Sequence, residues 1–252
     1  LRSMGCLSPT LRRMLGSTVS FVIVQQLGDN PTDAQVLERL LAAAVLARDV
    51  YAPFLAQYVE GRVAPRAPPL PESATAALFA TFDGWLRSDQ KRHMLLLGGG
   101  GTGKTAAALA LHCRVAQAEP PLRVSGKPVV SAFVPLPTVR PHVLDGGALD
   151  KAVLDALGLS AAQADAVVSL AVVVVVLDSL DECVVPDGAR ASLRHIVDGT
   201  RLVKRCRVIV TCRPEFLEGV GVSPPERAVS AEPDACALLH VHPLSAADAD
   251  AL

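Results

Sequence analysis

Stretches whose apolar residues recur at helical spacing alternate along the chain with short stretches that are apolar throughout. Val36, Leu37, Leu40, Leu41, Ala44 and Val45 fall on one helical face. Asn30-Pro31-Thr32-Asp33 ahead of them reads as a helix start, with Asn30 as cap and Pro31 at the first helical position. Pro53 breaks the pattern near Tyr51, and Phe54 and Tyr58 continue it in a second short helix. Residues 1–60 are thus expected as an N-terminal helical segment, its two helices lying within 31–60. Residues 61–71 carry Pro65, Pro68, Pro69 and Pro71, the composition of an extended linker. A helix over Ser73–Leu86 opens the next unit, expected over 72–245. There the spacing predicts strands at Met94–Leu97, Pro128–Pro135, Ala171–Leu177, Cys206–Cys212 and Ala235–Val241. Helices are expected at Lys104–Gln117, Leu149–Leu157, Ala161–Leu170 and Ala189–Val203. Strands apolar at every position suit a sheet covered on both faces. The expected class is α/β: a doubly wound, mainly parallel sheet with an N-terminal helical segment.

Composition narrows the function. Half of the 252 residues are hydrophobic and 19% are charged, which excludes a disordered chain. The formal charge of −1 supplies no drive toward nucleic acid or an anionic membrane. One Trp, two Tyr and six Phe are too few for a base-stacking platform, so no nucleic-acid partner is expected. Six cysteines include no Cys-x-x-Cys pair and are read as reduced and mostly buried. The longest apolar run, Ala166–Leu177, interrupted by Ser169, is too short to span a bilayer. No membrane association is expected, and the cytoplasm is the expected compartment. The six histidines are scattered; His240 and His242 alternate on an expected strand, where a core or surface role outweighs a metal pair.

Three segments carry chemistry. Gly98-Gly99-Gly100-Gly101-Thr102-Gly103-Lys104-Thr105 fits the phosphate-binding pattern G-x-x-x-x-G-K-[ST], between an expected strand and an expected helix. Glycines let the backbone turn so that successive N–H groups point inward, and the helix start adds a positive dipole end. Lys104 is suited to β- and γ-phosphate oxygens and the Thr105 hydroxyl to Mg²⁺. Next, the strand through Leu177 runs into Asp178-Ser179-Leu180-Asp181-Glu182. Asp178 at the strand end is suited to hold Mg²⁺ through water, and Asp181 or Glu182 to polarise an attacking water. Finally, Val208-Ile209-Val210-Thr211-Cys212-Arg213-Pro214 places Arg213 beyond a third strand. In a parallel sheet it shares an edge with Lys104 and Asp178, where it reads a γ-phosphate or pairs structurally with Glu215 or Glu218.

Together these segments resemble the NACHT branch of the STAND class of P-loop NTPases, over roughly residues 72–245. The resemblance implies an ATPase-type strand order, in which the Arg213 strand lies between the P-loop strand and the Asp178 strand. It implies ATP with Mg²⁺, slow hydrolysis, and a signalling switch that self-associates in its ATP state. Ser179 stands where the family most often has glycine, and Cys212 where serine is common. Residues 246–252, with a helix cap at Ser245–Asp248, are expected to begin a following helical domain. Two alternatives stay open: a P-loop kinase of a small molecule, and a nucleotide-binding module without turnover. A GTPase is disfavoured, because an Asn-Lys-x-Asp guanine reader cannot be built when Asn30 is the only asparagine.

Overall fold

The computed structural model describes residues 32, 35–38, 40, 58, 60–68, 75–118, 120–139, 146–182 and 200–243. It is an α/β fold around one mixed eight-stranded sheet. The strands are β1 (Arg62–Ala64), β2 (Ala76–Ala77), β3 (His93–Leu97), β4 (Arg123–Val124), β5 (Lys127–Pro135), β6 (Val172–Asp178), β7 (Arg207–Cys212) and β8 (Cys236–His242). The helices are α1 (Leu78–Arg87), α2 (Lys104–Gln117), α3 (Gly146–Leu157), α4 (Ala164–Leu170) and α5 (Pro214–Gly219). The strand order is β2-β1-β8-β3-β7-β6-β5-β4. The five central strands, β8, β3, β7, β6 and β5, are mutually parallel.

Antiparallel strands at both edges make the sheet more mixed than the sequence suggests. β1 pairs with β8 and β2 with β1, while β4 pairs with β5. The segment expected as a linker thus contributes β1: Arg62-Val63-Ala64 precedes the first proline, keeps its N–H donors, and buries Val63 and Ala64. Pairing of Ala76 and Ala77 with β1 delays helix α1 to Leu78, later than the expected Ser73. β4 and β5 are joined by Ser125-Gly126, both at positive φ (50° and 79°), as a two-residue hairpin turn requires.

Each central strand feeds two cores. Along β6, Val173, Val175 and Leu177 pack on one side with Leu149 and Val153 of α3 and Val167 of α4. Val174 and Val176 pack on the other with Phe82 of α1 and Ala107, Ala108 and Leu111 of α2. A run of valines therefore forms a strand because both faces are taken. Residues 35–38 and 40 are helical, and Val36 and Leu40 join the first of these cores. Thr32 and Gln35 exchange capping hydrogen bonds (2.8 and 3.4 Å), so Thr32 caps this turn; Asn30 lies outside the described residues. Also outside them lie 189–199 of the expected Ala189–Val203 helix, of which Val203 sits in a 3-10 turn, and Ser245–Asp248. Cys113, Cys206, Cys212 and Cys236 are free and buried. Among the described residues no single helix is long and apolar enough to cross a membrane.

Candidate functional site

β3 delivers the glycine-rich loop to the C-terminal edge of the sheet, and α2 leaves from it. Gly101 and Gly103 have φ of 76° and 87°, conformations that an L side chain rarely adopts, and Gly103 is the residue before the helix. Gly98 meets a different demand. A Cβ there would stand 2.5 Å from Thr102 Oγ1 and 3.2 Å from Lys104 Cγ. The loop is closed by Thr102 Oγ1 donating to the Gly99 carbonyl (3.0 Å) and tied to β7 by Gly98 N–H donating to the Cys212 carbonyl (3.3 Å). The Lys104 ammonium turns back and donates to the carbonyls of Gly98 (2.5 Å) and Gly99 (2.9 Å). Partial burial draws the Lys104 ammonium below the ordinary lysine range, Asp181 opposes that shift, and Arg213 adds to it. Thr105, half-buried, opens the first turn of α2.

β6 and β7 end level with this loop: Leu97 pairs with Cys212 and Leu177 with Val210. Asp178, the next residue of β6, is only 1% exposed. Its Oδ1 accepts from the Thr211 hydroxyl (2.8 Å) and its Oδ2 from the Ser179 hydroxyl (3.1 Å). Among the described residues it forms no direct ion pair; both its oxygens accept from hydroxyls, and the Lys104 ammonium interacts with it electrostatically. Ser179 lies at φ 64°, the physical reason a glycine suits this position, and its N–H donates to Thr211 Oγ1 (2.8 Å). Asp181 is nearly buried (7% exposed) and holds Arg213 twice, through the main-chain N–H (3.1 Å) and Nε (2.8 Å). Neither Glu215 nor Glu218, the acids weighed from the sequence, is this partner. Glu182 is exposed in the 3-10 turn that follows β6.

The expected residues thus meet on one edge: the loop 98–105, Asp178, Asp181, Glu182 and Arg213. No cluster of three or more His, Cys, Asp and Glu side chains among the described residues is arranged to hold a metal. Mg²⁺ bound together with phosphates needs only one or two carboxylates, so Asp178 with the Thr105 hydroxyl still fits that role. Burial pushes the Cys212 thiol up to about 12, which leaves it no thiolate chemistry at neutral pH. Burial also lowers His240, and His242 Nε2 lies 3.3 Å from the Arg66 carbonyl, so both histidines act within the β1–β8 edge. Sequence reasoning gave Thr211 no role. Its signals were a hydroxyl closing the apolar run Val208–Val210 and its place at the head of Thr211-Cys212-Arg213-Pro214, one of the segments that carry the resemblance. No protein-family model matches the chain, and no curated protein matches it significantly.

Proposed function

We propose that this chain binds ATP with Mg²⁺ at the C-terminal edge of its sheet and hydrolyses it slowly, as a regulatory switch of the NACHT type. The observation that carries this is the convergence of a positive-φ glycine loop, Lys104, Asp178 and Arg213 on that one edge. Further support comes from the position of β7 between β3 and β6, the ATPase-type order the sequence resemblance implies. In this reading the amides of the loop and the start of α2 cradle the phosphates, and the Lys104 ammonium exchanges its two loop carbonyls for phosphate oxygens. Asp178 and Thr105 would hold Mg²⁺, which supplies charge neutralisation at the β- and γ-oxygens. Arg213 leaves Asp181 to read the terminal phosphate. Asp181, released by Arg213, or Glu182 then polarises the attacking water.

The engagement of Asp181 favours a second reading, a module that binds nucleotide without turnover, because both its oxygens are occupied by Arg213. Self-association in the nucleotide-bound form and a role in signal transduction belong to the switch reading. The test is calorimetric titration of MgATP into the wild type and Lys104→Ala. Binding lost in the variant supports the site, and unchanged affinity refutes it. Phosphate release by the wild type, lost in Glu182→Gln or in Asp181→Asn, separates the switch from the silent module; release that depends on an added acceptor points to a kinase.

A further inference from the structure

We infer that Thr211 is the positioning residue that sets the Asp178 carboxylate for a divalent cation and ties it to the strand bearing Arg213. This rests on the nucleotide reading and deepens it by naming what orients the cation-holding acid.

The hydrogen-bond directions are forced. Thr211 is 0% exposed and Asp178 1% exposed, so water does not compete. The Ser179 N–H can only donate, and it occupies a lone pair of Thr211 Oγ1 at 2.8 Å. The single Thr211 proton then goes to Asp178 Oδ1, also at 2.8 Å, which requires that oxygen to accept. A β-branched threonine has few χ1 states, so the hydroxyl is held in place rather than sampled. One side chain of β7 thereby fixes both the last residue of β6 and the left-handed turn after it (Ser179 φ 64°). Two residues further, Arg213 grips Asp181 at the end of that turn. The tail of β6 is thus pinned to β7 at Thr211 and again at Arg213, and the Asp178 carboxylate is oriented by the first pin. Partners of this kind behind a metal ligand commonly govern metal affinity by about 10–100-fold.

The test uses the whole chain and calorimetry with ATP in excess EDTA and in Mg²⁺. The cation enhancement is the ratio of the two affinities. Thr211→Val keeps the shape and removes the hydroxyl. It should leave affinity in EDTA, which depends on the loop and Lys104, within about twofold, and reduce the Mg²⁺ enhancement about tenfold. Thr211→Ser, which restores the hydroxyl, should recover most of that enhancement. A purely packing role would move both conditions alike and would not be rescued by serine. Thr211→Ala is the second variant: it also removes the acceptor of the Ser179 amide, but the space it opens admits a water to that amide where the valine methyl group blocks it. Full Mg²⁺ enhancement in a folded Val or Ala variant overturns the role of Thr211 alone. Absence of nucleotide binding by the wild type in both conditions overturns the nucleotide reading itself, and this inference with it.

Discussion

The Arg213–Asp181 pair gives the sharpest test, because its removal should weaken the fold and strengthen the ligand at once. Asp181→Asn keeps an oxygen for the Arg213 N–H, now 3.1 Å away, and deletes the charge that faces Nε at 2.8 Å. Asp181 is 7% exposed and Arg213 49% exposed, so the pair lies between two regimes. Exposed pairs contribute about 0.2–1 kcal/mol, and shielded hydrogen bonds to charged groups about 1.5–3 kcal/mol. A coupling of about 1 kcal/mol is the expectation for one buried and one half-solvated partner. It is measured by urea unfolding of wild type, Asp181→Asn, Arg213→Ala and the double variant without nucleotide. Arg213→Ala is the suitable partner because it keeps the main-chain hydrogen bond to Asp181. In the ligand arm, Arg213 no longer has to abandon a carboxylate, so Asp181→Asn should bind ATP about fivefold more tightly, the same free energy with opposite sign. ADP, which lacks the phosphate that Arg213 is proposed to read, should gain less. The reasoning is refuted if the coupling vanishes, or if Asp181→Asn tightens ATP equally in the Arg213→Ala background. The latter result would mean that only general repulsion between carboxylate and phosphate had been relieved.

Two further outcomes bear on the loop and on the core. Gly98→Ala should lower ATP affinity at least about tenfold, since its Cβ collides with Thr102 Oγ1, whereas Gly99→Ala, with nothing within 4 Å, should change it little; equal effects in calorimetry would refute the close-approach argument. Burial pushes the His112 imidazole down to about 4, where its Nδ1 lies 2.8 Å from the Ser131 hydroxyl. An unfolded histidine titrates near 6.5, so between these values the unfolded chain binds the extra proton. Stability from this source is complete above about pH 6.5 and is lost toward pH 4, by up to about 1.4 kcal/mol per pH unit. His112→Gln should flatten that slope in urea unfolding at pH 7, 5.5 and 4.5, and an unchanged slope would refute the assignment.

What the sequence carried and what it did not divide along physical lines. The bounds of α2, Lys104–Gln117, were readable because glycines precede it and two prolines follow close after it. β6 was readable because five valines between helical stretches need cover on both faces. β1 was hidden because its three residues sit beside four prolines, and it becomes a strand only by pairing with β8, roughly 180 residues away. β4 was hidden because two residues carry no periodicity; the Ser125-Gly126 dipeptide was its sole local mark. At the site, residue types and their shared edge followed from the motifs and the parallel sheet. Partners did not, since Arg213 meets Asp181 and Thr211 meets Asp178 across 32 and 33 residues of chain. Such pairings depend on register between β6 and β7, which no local pattern encodes.

The charged groups of the site already have partners within the protein, and this bears on what kind of nucleotide device the proposed reading describes. Lys104 donates to two loop carbonyls, Arg213 to Asp181, and Asp178 accepts from Thr211 and Ser179. A catalyst gains most from dipoles and charges held in place before the substrate arrives. In the proposed reading two cations must change partners first, which would lower affinity and couple ligand arrival to rearrangement of the β6 and β7 tails. A ligand shifts a conformational equilibrium only by its differential affinity for the two states. The proposed exchange of Arg213 from carboxylate to phosphate would be such a differential contact, available to a triphosphate and denied to a diphosphate. That asymmetry suits a switch better than a fast enzyme. If Asp181→Asn erased the difference between ATP and ADP without loosening the fold, the latch would lie elsewhere.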